Sequence, residues 1–201
     1  MSLRCNFPSV ALPIVGVAIL VIVSLPVGVM RAQERKAKPE TASSLILGTV
    51  ASERGTTASI PIYFKPGKDA LRSLHLEVDF VSNSVKFAKA DKGLAAQTQD
   101  YELTVKANEL APDDKKISHT RLSIDVSLPD SASGKSLPEG LWAFLNFTIP
   151  SDAKPFSISL NPIAISAQNA SKKPIEVASE AGKIIVSVPD EPLAGCFFFS
   201  H

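Results

Sequence analysis

With 201 residues, 45% of them apolar and 20% charged, and a formal net charge of +1, the chain has the composition of an ordinary globular protein with room for one domain. So neutral a balance excludes the basic footprint of a nucleic-acid-binding protein. Ten glycines and 15 prolines against two methionines, with many β-branched residues, favour an all-β chain of short strands and turns.

The chain opens on Arg4 and a nearly uninterrupted apolar run from Phe7 to Met30, followed by Arg31, Ala32 and Gln33. A charged start, a long apolar stretch and a small residue at its end are the features of a secretory signal cleaved near Ala32. At more than about 20 residues the run could also span a bilayer as an uncleaved anchor, with Arg31, Arg35, Lys36 and Lys38 behind it. Pro13 and Pro26 within the run and Ala32 at its end favour cleavage. Both readings place the rest of the chain outside the cytoplasm, secreted or anchored. Removing residues 1–32 takes away two basic residues and no acid, leaving one more acidic than basic residue. It also removes Cys5, so Cys196 is the sole remaining thiol, and neither an internal disulfide nor a cysteine-based metal site is available.

Residues 33–44 are polar, lack a period and contain Pro39, as a flexible linker does. From 45 to 188 the pattern is that of a two-sheet jelly-roll β-sandwich of about nine strands. Leu45–Val50 and Ser59–Phe64 are the first two, joined by a turn at Gly55, and Pro61 assigns the second to an edge or a bulge because proline cannot donate to a ladder. The third, Leu71–Phe80, alternates Leu74, Leu76, Val78 and Phe80 inward with Ser73, His75, Glu77 and Asp79 outward. Val85–Ala88 is a short fourth strand ended by a turn at Asp91–Gly93. Tyr101–Ala107 is the fifth, and Arg121–Leu128, alternating as cleanly as the third, is the sixth. Gly140–Ile149 is the seventh and central strand, with Leu141, Ala143, Leu145, Phe147 and Ile149 on one face and Trp142, Phe144, Asn146 and Thr148 on the other. Phe156–Leu160 follows, and Ile175–Val177 and Ile184–Val188 close the domain around Gly182.

The order of these signals resembles the cohesin domain, the jelly-roll module that receives dockerins in bacterial multi-enzyme assemblies. The likeness runs from about Leu45 to Val188. It is carried by Gly48 and Gly55 with the run Ile60–Phe64, by Leu74–Phe80 with Ser84 and Val85, by Gly93, most strongly by Gly140–Ile149, and by Gly182–Val186 as the last strand. It implies a non-enzymatic, extracytoplasmic module whose partner is another protein, dockerin-like or an envelope component. By the same likeness the binding face is the sheet of the third, fifth, sixth and eighth strands. Its outward positions here are His75, Glu77, Asp79, Thr104, Lys106, Arg121, Ser123, Asp125, Ser157 and Ser159. A short-chained face of mixed charge suits a hydrogen-bonded protein interface and equally a plain solvated sheet. Related sandwiches bind carbohydrate, which makes polysaccharide the alternative partner.

The residues themselves offer no converging nucleophile and base, no calcium-loop spacing at Asp113–Asp114 and no phosphate-binding glycine loop, so neither an enzyme nor a metal or other cofactor is expected. Sugar stacking on a flat face needs aromatic rings, and Trp142 with Phe144 is the one local pair. Asn146 and Asn169 head glycosylation sequons. The tail, 189–201, departs from everything before it: a polar hinge, Pro189–Pro192, leads to Cys196, Phe197, Phe198 and Phe199. An odd extracytoplasmic cysteine tends to pair between chains or be modified, so the tail reads either as an attachment through Cys196, to a partner or a membrane component, or as rings that cover an apolar patch of the sandwich.

Overall fold

The computed structural model describes residues 42–187. The apolar run at the amino terminus, nearly all of the linker, and the tail with Cys196 and Phe197–Phe199 lie outside the described residues, as do the expectations that fall on them. Twelve strands are described: β1 (Ser43–Leu47), β2 (Thr49–Glu53), β3 (Thr57–Lys65), β4 (Ser73–Val81), β5 (Lys86–Lys92), β6 (Glu102–Glu109), β7 (His119–Ser127), β8 (Gly140–Thr148), β9 (Phe156–Gln168), β10 (Pro174–Ile175), β11 (Val177–Glu180) and β12 (Gly182–Ser187). One helical turn, α1 (Ala95–Thr98), links β5 to β6. The strands form two sheets, ordered β11-β1-β3-β8-β5 and β2-β12-β9-β4-β7-β6, with β10 paired to β9.

The period-2 pattern places the core where expected on β4 and β7. Leu74, Leu76, Val78 and Phe80 are buried against Leu122, Ile124 and Val126 of the neighbouring strand, while the residues between them stay half-exposed or exposed. From the other sheet Ile60, Ile62, Phe64, Leu145 and Phe147 point into the same interior. Phe147 meets Phe80 across the sandwich edge to face at 5.3 Å, an arrangement that suits the ring quadrupoles.

Several details differ from the sequence expectation. The run Leu45–Val50 is not one strand. It breaks at Gly48, so that β1 pairs with β3 and β11 in one sheet and β2 runs parallel to β12 in the other. The closing segment breaks at the matching place: β11 and β12 change sheets at Gly182, where an added Cβ would stand 2.7 Å from the Gly48 carbonyl oxygen and 2.8 Å from Leu47 Cβ. Only glycine lets the two backbones approach so closely.

β3 is not an edge strand. It lies between β1 and β8, and Pro61 is tolerated because its carbonyl accepts from Gly48 N at 2.8 Å. Its missing donor therefore faces the point where β1 leaves the sheet. A bulge does occur one residue on, between Ile62 and Tyr63 in the register with β8. There Ile62 pairs with Ala143 and Tyr63 with Leu141, leaving Trp142 as the extra residue. An unpaired bulge residue reverses the phase of a strand, so Leu141, assigned inward, is half-exposed, and Trp142, assigned to the other face, is buried. β8 lies next to the edge strand β5 rather than at the sheet centre. Finally, β5 continues through Asp91 and Lys92, and β9 extends to Gln168, well past Leu160.

Candidate functional site

The four strands that carry the expected binding face are contiguous, in the order β9-β4-β7-β6. Their antiparallel register builds the face row by row. One row holds Thr104, Asp125, His75 and Ser166; the next holds Lys106, Ser123, Glu77 and Ala164; the third holds Asn108, Arg121, Asp79 and Asn161. Side chains directly opposite on neighbouring strands lie about 4.5–5.5 Å apart at Cβ, which is why charges far apart in sequence meet here.

Arg121 sits at the centre of the charge network. Its Nε and one terminal nitrogen donate to the two Asp79 carboxylate oxygens at 2.7 and 2.9 Å, and its other terminal nitrogen lies 3.6 Å from Glu77 Oε2. The paired hydrogen bonds to Asp79 hold the guanidinium pKa above its ordinary value. Such a two-pronged contact fixes the side chain far better than a lone surface ion pair. His75 Nδ1 lies 2.7 Å from Asp125 Oδ1, and its Nε2 is 3.9 Å from Glu77 Oε1. The chain His75, Glu77, Arg121 and Asp79, with Asp125 at one end, is therefore a single surface network. Counting outward positions, Glu77, Asp79, Glu102 and Asp125 oppose Lys106 and Arg121, so carboxylates outnumber cations on this face.

Ser157 and Ser159 stand apart from those rows. They pair with Ile185 and Lys183 of β12, and they meet the network only at its edge, where Asp79, His119, Ser157, Ser159 and Asn161 line a hollow of about 450 Å³. Sequence reasoning missed Asn108, Asn161, Ala164 and Ser166, and also Ile163. In the register with β4, Glu77 pairs with Ala164 and Val78 with Pro162, which leaves Ile163 unmatched in a second bulge. It is 46% exposed, beside the charge network. The alternation Phe156–Leu160 continuing to Asn161 was the available signal; Pro162 interrupted it.

The possible sugar-stacking pair is not a pair. Trp142 is 1% exposed, stacks on Phe64 at 4.3 Å and donates its indole N–H to the Pro138 carbonyl at 2.6 Å, so neither face of the ring is open to a ligand. Its own carbonyl accepts from Gly93 N at 2.7 Å and from the Tyr101 hydroxyl. Burial raises the Tyr101 phenol above its ordinary range, which keeps that hydroxyl a donor. Phe144 lies on the outer face of the opposite sheet, beside Pro61 and Asp91. The sequon residue Asn146 is also built into the fold: Ser59 donates to its Oδ1 at 2.6 Å and its amide donates to Asp91 at 2.9 Å. Among the described residues no group of three or more His, Cys, Asp or Glu is placed to hold a metal ion.

No protein-family model and no curated protein sequence matches the chain. Solved structures do. The sixth cohesin of scaffoldin B from Acetivibrio cellulolyticus, in complex with a dockerin, superposes with a TM-score of 0.57 at 14% identity, covering 73% of this chain and 100% of that one. A type I cohesin–dockerin complex from Clostridium thermocellum gives 0.57 at 10% identity, over 73% and 99%. A non-cellulosomal cohesin from the archaeon Archaeoglobus fulgidus gives 0.53 at 14% identity, over 74% and 94%. Nearly the whole length of each of these chains is matched by the described sandwich, and the protein has the cohesin fold.

Proposed function

We propose that the chain is a non-enzymatic protein-binding module and that its partner, dockerin-like or an envelope component, docks on the outer face of β9, β4, β7 and β6. The observation that carries this reading is the pre-formed network from His75 through Glu77 and Arg121 to Asp79. Arg121 is locked between two carboxylates, and rigid, pre-paired polar groups lower the ordering cost of an interface. Two of the structural neighbours named above were solved with dockerins bound, which supports a protein as the partner class. The test is recovery of a specific partner from envelope extract on the immobilised chain, compared with a variant carrying His75, Glu77, Arg121 and Asp125 all changed to alanine. We expect recovery to fall at least about tenfold, since charged hot-spot residues typically contribute more than about 1.4 kcal/mol. Unchanged recovery would exclude this face.

The proposal includes a location outside the cytoplasm, reached through the apolar run that ends near Ala32. Intact-mass measurement on protein from its own host is expected to give a chain beginning at about Gln33. A mass that retains residues 1–32 would mean a tethered module with the same face.

A further inference from the structure

The sheet opposite the charged face carries a second surface of contrasting character. Ile46 on β1, Tyr63 on β3 and Leu141 on β8 are register neighbours in a single row, with Ile46 36% and Tyr63 46% exposed. The bulge at Trp142 is what turns Leu141 outward to join them. The next outward pair along the strands is Pro61 with Phe144, both half-exposed. Adjoining apolar side chains on an outer sheet face mark a contact site more often than scattered ones do.

The chain itself supplies a segment of matching chemistry. Phe197, Phe198 and Phe199 begin ten residues after the end of β12 at Ser187. Ser187 pairs with Glu53, at the end of the sandwich where β3 starts with Thr57. From there to the Pro61–Phe144 pair is four residues, about 14 Å at 3.4 Å per residue, and passing from one sheet to the other adds about 10 Å. Ten extended residues reach about 33 Å, so the rings can arrive with the hinge Pro189–Pro192 taking up the slack. A tether of this length holds them at an effective concentration in the millimolar range, which favours this segment over a second copy of the chain.

We propose that Phe197–Phe199 dock on the outer face of β1, β3 and β8, over Ile46, Tyr63, Leu141 and Phe144. The docking places Cys196 at the rim of the patch. This inference is independent of partner binding on the other face.

Cys196 provides the test. In the full chain with Cys5→Ser, a second thiol is introduced by Lys89→Cys, an outward position that flanks the patch, or by Lys106→Cys on the opposite sheet. Under mild oxidation an intramolecular disulfide to Cys196 is expected to form at least tenfold faster from position 89 than from position 106. The advantage should vanish when Phe197, Phe198 and Phe199 are all changed to serine, with circular dichroism unchanged. Equal rates from the two positions, or an advantage that survives the serine changes, would overturn the proposal. A product linked between chains would assign the patch to a second copy and overturn it as well.

Discussion

Changing Trp142 to alanine is expected to destabilise the sandwich by about 3–5 kcal/mol, the cost of emptying a fully enclosed large aromatic site. Three losses add there. The cavity is lined by Phe64, whose stacked partner at 4.3 Å disappears; the Pro138 carbonyl loses its donor; and the Tyr101 ring, 6.3 Å away, loses its aromatic neighbour. Urea unfolding followed by circular dichroism measures the change, since the variant has lost the sole tryptophan as a fluorescent reporter. Trp142→Phe should recover about half, because it restores ring stacking and part of the volume but not the indole N–H. A loss below about 1 kcal/mol for the alanine variant would contradict the enclosure of this ring.

That residue also marks the limit of what the sequence could disclose. On β4 and β7, one face is wet and the other dry, so alternation alone sorted Leu74 to Phe80 and Leu122 to Val126 inward. The charged half of the candidate face followed from the same alternation, because an outward residue on a regular strand needs no further information to be placed. Bulges break this logic. At Trp142 and at Ile163 one strand has two residues against one, and the side-chain phase reverses beyond that point. Nothing in the local composition announces it, since the extra residue is selected by the ladder on the partner strand. The breaks at Gly48 and Gly182 were hidden for a related reason: Gly48 is explained by the ring of Pro61 on β3, and Gly182 by the Gly48 carbonyl, more than a hundred residues away.

The two outer faces of the sandwich have different chemistries. On the charged face the cationic centre Arg121 is already engaged by Asp79 and Glu77, so a partner docked there would meet mainly carboxylate oxygens, together with Asn and Ser side chains from β6 and β9. Oxygen acceptors of this kind favour a partner surface rich in Lys, Arg or hydroxyl donors, with association slowed by salt. The opposite face offers the aromatic and aliphatic side chains Ile46, Tyr63, Leu141 and Phe144, bordered by the Lys89–Asp91–Asn146 group. The proposed sites for the tail and the partner therefore lie on opposite sheets, where neither competes with the other.

Ile163→Glu is expected to weaken partner binding by at least about 30-fold, or about 2 kcal/mol, while leaving stability within about 0.5 kcal/mol. Ile163 is the large apolar side chain that reaches solvent beside the charge network, 46% exposed in the β9 bulge next to Glu77 and Ala164. An apolar contact surrounded by polar groups that exclude water is the usual anatomy of an energetic centre. A glutamate there would lose that contact and add a fifth carboxylate beside Glu77, Asp79, Glu102 and Asp125. Because a bulge residue takes no part in the ladder, the fold should accept the change. Titration calorimetry with the recovered partner measures the loss, and urea unfolding of the same variant measures stability. Ile163→Val, which keeps an apolar side chain, should bind within about threefold of the original, a difference of under about 0.7 kcal/mol. If the glutamate variant binds unchanged while the fourfold alanine variant does not, the partner grips the charge network without touching β9. The interface then lies over β4, β7 and β6 alone.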